Sequence, residues 1–313
     1  MDIYSATTKL LLDLPTVNEW DEMRSLIQRA ASRQPRDWRL PVMACHAVGG
    51  EEHQAIAGVA AIAGMQISII LIDDMLDSDP RGDYHRLGSA VATNLAAAFQ
   101  SAALEAIAQS DLCDERKIAA MNSVNEMTLT TAHGQHLDAQ NPSDESAYWY
   151  VTKLKSSPFF GAALHIGALM GGGDAESAEG LKRIGHLYGE MIQIHDDLKD
   201  TMAMPANPDW IEKRSPLPIL FAQSVDHPQR EHFLELRDSI GEADSLEEAQ
   251  TILIHCGAVS YCVDQLVQRH RLARQMIQTI SLTHRDEVEE WIDSQIVPIQ
   301  NLFESVGVNV LLQ

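Results

Sequence analysis

Residues 55–77 read AIAGVAAIAGMQISIILIDDMLD. From Ala55 to Ile72 only Gln66 and Ser68 interrupt the apolar run, which approaches the length that crosses a bilayer. Its Gly and Ala content makes it weakly hydrophobic, and it runs straight into Asp73 and Asp74. A helix buried on all sides fits better than a membrane span, and no transmembrane segment is expected.

Outward from this stretch, helical periodicity dominates, and no alternation of β-branched and aromatic residues argues for a sheet. Helices are predicted at 18–31, 51–78, 85–110, 114–138, 144–171, 174–203, 228–240, 246–281 and 284–305. Breaks fall at Asp79-Pro80-Arg81-Gly82, Asn141-Pro142-Ser143 and Gly171-Gly172-Gly173. Between Met204 and Pro218 four prolines forbid continuous helix, and such a loop could close over a site. Hydrophobic residues make up 45% of the 313 residues and aromatics 5%. The apolar mass is therefore Ala, Leu, Ile and Met, which favour helix. An all-α fold over one domain, 1–313, is predicted.

Lys and Arg number 23 against 45 Asp and Glu, a formal charge of −22. That field repels nucleic acid, so an anionic substrate needs cations to mediate. The four cysteines form no CxxC pair and read as reduced thiols of a cytoplasmic protein. The N-terminus MDIYSATTK lacks an export signal.

The ending of the opening stretch, Asp73-Asp74-Met75-Leu76-Asp77, has a twin in Asp196-Asp197-Leu198-Lys199-Asp200. Positions i and i+4 share a helix face, so Asp73 pairs with Asp77 and Asp196 with Asp200, while the middle aspartate turns away. Carboxylates so close repel, and the negative end of a helix dipole disfavours them further. Magnesium answers both problems, since it takes hard oxygen ligands and bridges one or two carboxylates to substrate phosphates. A solvated helix end explains one such cluster more readily than two. An EF-hand is excluded by spacing, and His133 with His136 has no third zinc ligand placed by sequence.

The two motifs and their surroundings resemble the trans-isoprenyl diphosphate synthases, the polyprenyl synthetase family, from about Arg36 to Pro218. Ile192-Gln193-Ile194-His195 before the second cluster is similar to the family's FQIxDDxxD. Lys155-Ser156-Ser157-Pro158-Phe159-Phe160 resembles KTxxLF, and Gly134-Gln135-His136-Leu137-Asp138 resembles GQxxD. Arg81-Gly82 is similar to RRG, and Lys213 to Pro218 to GKxTxP. The resemblance implies an isoprenoid synthase fold, one large helical bundle around a central cavity, with the aspartate clusters facing across its mouth. It implies three Mg2+ ions held with the diphosphate by Asp73, Asp74, Asp77, Asp196, Asp197 and Asp200, and a homodimer. It implies ionisation of an allylic isoprenoid diphosphate, with Asp73, Asp74, Lys155, Gln193, Asp196 and Lys213 as catalytic candidates. Lys155, Gln193 and Lys213 are also substrate contacts.

The isopentenyl half of the family pattern is altered. GGKRxRP becomes Gln34-Pro35-Arg36-Asp37-Trp38-Arg39-Leu40-Pro41, Gln66 stands where the family has histidine, and the paired arginines shrink to Pro80-Arg81. Arg36, Arg39, Gln66 and Arg81 are the remaining candidates there. Losing a Lys, a His and an Arg weakens a second diphosphate site by several charged hydrogen bonds. An elongating synthase, a prenyltransferase with another acceptor and a type I terpene cyclase remain open, as does a non-catalytic partner subunit. Ala90, Ala92, Ala96, Ala97 and Ala98 either leave room for a long substrate tail or pack helices tightly.

Overall fold

The computed structural model describes residues 2–240 and 243–297. Among these, every regular element is helical and no strand occurs. The chain groups into two compact units.

The first unit comprises Met1–Ala132, Pro158–His186 and Met276–Glu290. Its axis is the Ile56–Leu76 helix, packed along its length on Ser89–Ala108. Small residues let the two approach: a methyl group on Gly64 would stand 3.2 Å from the Phe99 carbonyl oxygen. Ala92 and Ala96 are buried in this contact while Ala90 and Ala97 lie in water. Ala92 and Ala96 therefore pack this helix pair, whereas Ala90 and Ala97 stand outside the contact. The Ile3–Asp13 helix, absent from the sequence reading, adds Ile3 and Leu11 to the same core. Asp2 caps it by accepting the Ser5 N–H at 3.0 Å. A second unforeseen helix, Leu40–Ala47, is apolar nearly all round and too short to show a period.

By length and composition, Glu52–Leu76 could cross a membrane, and 72% of its most apolar window is buried inside the protein. Burial is not complete on all sides, however. Gln66 and Ile69 are half-buried and Ile70 is exposed, whereas Met65, Ile67, Ser68 and Leu71 are buried.

The second unit comprises His133–Ser157, Leu187–Gln275 and Trp291–Gln313. One core gathers Trp210, Ile219, Phe233, Leu246 and Leu253. Where the sequence predicts one helix over 246–281, Gly257 adopts φ +89°, a left-handed residue that ends Ala243–His255 and admits Ala258–Thr279. The predicted 144–171 helix likewise divides, into Glu145–Lys155 and Ser157–Met170. Of the predicted 284–305 helix, Arg285–Asp293 is seen and 298–305 lies outside the described residues. Arg269 bonds Glu190 at 2.7 Å and stands 3.7 Å from the ring centre of Trp149, pairing two charges that would be costly to bury apart.

Candidate active site

The first aspartate cluster closes the Ile56–Leu76 helix. Asp73 and Asp74 occupy its last turn, and Asp77 caps it, its N–H donating to the Asp73 carbonyl at 2.9 Å. The following loop is drawn tight by charge. Arg81 donates to Asp79 from its backbone N–H at 2.7 Å and from its guanidinium at 3.1 and 2.7 Å. These bonds hold Asp79 down to about 2. Arg29 donates to both oxygens of Asp83 at 2.9 and 3.0 Å. Burial pushes the Asp74 carboxyl above its usual range, helped by the charges of Asp79, Asp73 and Asp83 and opposed by Arg81. Excess negative charge thus gathers around Asp74. Arg29 and Asp83 escaped the sequence reading, because they lie 54 residues apart and no spacing rule links them.

Deeper along the same helix, Gln66 is engaged at both ends of its amide. Trp38 Nε1 donates to Gln66 Oε1 at 2.8 Å, and Gln66 Nε2 donates to Asp37 Oδ2 at 2.9 Å. Trp38 is buried, while Arg36 and Arg39 of the same turn are exposed. Of the four candidates for a second diphosphate, Gln66 is therefore held between the Trp38 indole and the Asp37 carboxylate, Arg36 and Arg39 extend into water, and Arg81 leans on Asp79.

The second cluster ends the Ala175–Thr201 helix, and its members have distinct surroundings. Burial, then the neighbouring Asp200, raises the half-buried Asp196 carboxyl, while Lys199 and His195 lower it. Asp197 is only 6% exposed. Tyr148 Oη and the Leu217 N–H each donate to its Oδ2 at 2.7 Å, and Gln193 Nε2 donates to its Oδ1 at 2.7 Å. Even with three donors, burial raises this carboxyl to about 6. Gln193 in turn accepts the Ser156 hydroxyl at 2.5 Å. The middle aspartate faces the protein interior, as the helical turn requires, and Asp196 and Asp200 share another face.

Both candidate lysines stand in ion pairs. Lys155 Nζ meets Asp138 Oδ2 at 2.6 Å, and Lys213 Nζ meets Asp238 Oδ1 at 2.5 Å in an exposed pair. Gly134 explains the first pairing. A methyl there would stand 2.4 Å from the Lys155 backbone nitrogen, so only glycine lets the Glu145–Lys155 helix approach. The 204–218 loop is pinned at several points. Trp210 Nε1 donates to the Thr201 carbonyl at 2.9 Å, Asn141 bonds Lys213 O and Ser215 N at 3.1 Å each, and Asp197 holds Leu217.

Among the described residues, no three His, Cys, Asp or Glu side chains gather closely enough to hold a metal by themselves. The donors still fit Mg2+. They are hard oxygens only, buried and crowded enough to raise Asp74 and Asp196, and Mg2+ takes few protein ligands beside water and phosphate.

A family model described as polyprenyl synthetase matches residues 24–254. The chain is 26% identical over 257 residues to a short chain isoprenyl diphosphate synthase of Methanothermobacter thermautotrophicus, spanning 77% of this chain and 78% of that one. It is 28% identical over 171 residues to a geranylgeranyl diphosphate synthase of Methanosarcina mazei, about half of each chain at 52% and 53%. The solved geranylgeranyl pyrophosphate synthetase from Pyrococcus horikoshii superposes with a TM-score of 0.79 at 19% identity over 94% of both chains. A decaprenyl diphosphate synthase from Rhodobacter capsulatus gives 0.79 at 16% identity, over 95% of this chain and 96% of that one. These superpositions establish the isoprenoid synthase fold predicted from the sequence.

Proposed function

The chain belongs to the polyprenyl synthetase family, and from that premise we propose that it is a magnesium-dependent prenyltransferase that ionises an allylic isoprenoid diphosphate and passes the allyl group to isopentenyl diphosphate or another acceptor. The observation that carries this reading is the pair of aspartate motifs, each closing a long helix and each containing a carboxyl raised by burial and by its neighbours. Such carboxylates are poised for a cation. Bound Mg2+ supplies charge neutralisation at the departing diphosphate. Asp73, Asp74, Asp77, Asp196 and Asp200 are the proposed ligands. Asp197 keeps its place in the proposed set through the helix end that it anchors.

Lys155 is placed by Asp138 as a fixed cation for the leaving group. Lys213 must exchange Asp238 for phosphate, which is easy because that pair lies in water and is screened. Gln193, held between Ser156 and Asp197, presents a fixed amide dipole. The relatives' names favour prenyl transfer, and no observation favours the cyclase or the partner-subunit reading. A cytoplasmic homodimer is proposed as its working form. Leu129 and Ile118, 74% and 59% exposed and eleven residues apart on one helix face, are apolar surface of the kind a second copy would cover.

Incubation with farnesyl or geranylgeranyl diphosphate and Mg2+ should release pyrophosphate. Asp73→Ala or Asp196→Ala should lower the rate by about a hundredfold or more, the usual scale for lost charge stabilisation. Background release from the wild-type chain would reject the proposal.

A further inference from the structure

The Glu145–Lys155 helix turns one stripe inward. Tyr148, Val151 and Thr152 are buried on it, and half-buried Lys155 follows two turns after Tyr148, within about 20° of the same direction. Whatever fixes the rotation of this helix at Tyr148 therefore fixes it at Lys155. The phenol is held at its tip. Its O–H donates to Asp197 Oδ2 at 2.7 Å, and the Thr152 side chain, one turn on, bonds the phenol in turn.

That bond closes a ring. Gln193 Nε2 donates to Asp197 Oδ1 at 2.7 Å, and the hydroxyl of Ser156, the C-cap of the Glu145–Lys155 helix, donates to Gln193 Oε1 at 2.5 Å. Tyr148 and Ser156 thus attach this helix at both ends to one face of the Ala175–Thr201 helix, where Gln193 and Asp197 stand one turn apart. A single attachment would leave the helix free to roll, whereas two set its height and its rotation together. The same Asp197 Oδ2 takes the Leu217 N–H at 2.7 Å, just beyond Lys213 in the chain. One carboxylate oxygen therefore joins the segments that carry Lys155, Asp196 and Lys213. The packing of the Tyr148 ring on Trp149, centroids 4.9 Å apart, does not involve the hydroxyl, so phenylalanine would keep it.

Resting on the prenyltransferase reading, we infer that Tyr148 is a positioning residue of the reaction: by donating to Asp197 it sets the helix that carries Lys155 against the helix end that carries Asp196, so that both meet the departing diphosphate. With farnesyl diphosphate and Mg2+ saturating, Tyr148→Phe should lower kcat for pyrophosphate release about tenfold, because small misplacements of charge are felt in the transition state. KM should move less than about twofold. Phe233→Leu, in the Trp210 core of the same unit, is the stability control. It should lower the thermal midpoint as much or more and leave kcat within about twofold.

Hydrogen exchange on the metal-free full chain gives a readout that needs no turnover. In Tyr148→Phe, amides of 194–201 and 213–217 should exchange several-fold faster while those of the Arg230–Asp238 helix keep their wild-type rates. Unchanged kcat in Tyr148→Phe, an equal kcat loss in Phe233→Leu, or exchange that quickens uniformly across the unit overturns the inference. Failure of the ionisation reading is distinct, because it appears as absent pyrophosphate release from the wild-type chain.

Discussion

Replacing Asp197 separates two roles that one carboxylate combines. Its oxygens accept from Tyr148, Gln193 and Leu217, each at 2.7 Å. Asp197→Ala strips all three buried donors of their acceptor, at about 1–3 kcal/mol each. Opposing that loss is relief from ionising a buried acid. The carboxyl rises from 3.8 to about 6, about two units, or about 3 kcal/mol. A net destabilisation of about 3 kcal/mol at pH 7.5 follows for alanine. Asp197→Asn keeps an oxygen for Tyr148 and Leu217 and removes the charge. Gln193 must then rotate its amide, and the Ser156 hydroxyl can accept where it now donates. Asparagine should therefore stay close to wild type or exceed it.

The pH dependence carries the sign. Because the folded pKa lies above the unfolded one, the folded chain holds a proton between about pH 4 and 6 that the unfolded chain has lost. Wild-type stability falls as pH rises through that window, and the asparagine variant lacks this contribution. The difference should move toward asparagine by up to about 3 kcal/mol between pH 4 and 7.5. Urea unfolding of the metal-free chain at both pH values measures it. Asparagine as damaging as alanine at pH 7.5, or an offset between variant and wild type that ignores pH, would refute the reasoning.

Gly134→Ala should cost at least about 2 kcal/mol in urea unfolding, since its methyl meets Lys155 backbone at 2.4 Å and overpacking cannot be relieved by a rotamer change. Arg269→Ala should destabilise by about 3–5 kcal/mol because it leaves Glu190 buried without a partner. The apolar double variant Arg269→Leu with Glu190→Leu should recover most of that loss. Lys213→Ala should leave the thermal midpoint unchanged, its partner Asp238 being exposed, while slowing pyrophosphate release about tenfold or more. Asp238→Ala should leave release intact or faster. Chelation of Mg2+ should abolish release, restored by adding the metal back.

The long helices were legible because they carry period and length together. The 114–138 helix appears as Asp114–Asp138, and both aspartate motifs close helices as predicted. What escaped was what contacts across the sequence decide. The divisions at Ser156 and Gly257 interrupt patterns that stay helical on both sides, so periodicity alone does not mark them. The inward turn of Asp197 follows from helix geometry, yet its partners Tyr148 and Leu217 lie 49 and 20 residues away. The 204–218 segment reads as an open loop from its prolines, but Trp210 and Asn141 pin it. Gln66 was visible as a departure from the family pattern. Its engagement by Asp37 and Trp38 required coordinates, because nothing in the order of those residues says which way their side chains turn.

The two carboxylate motifs, 123 positions apart in the chain when Asp73 is counted to Asp196, are each proposed to bind diphosphate through Mg2+. Pyrophosphate affinity in saturating Mg2+, measured by calorimetry on wild type, Asp73→Ala, Asp196→Ala and the double variant, tests this proposal directly. Each single change should weaken binding about tenfold or more, and the double variant should bind more weakly than either. Wild-type affinity in either single variant would contradict that role for the motif it alters.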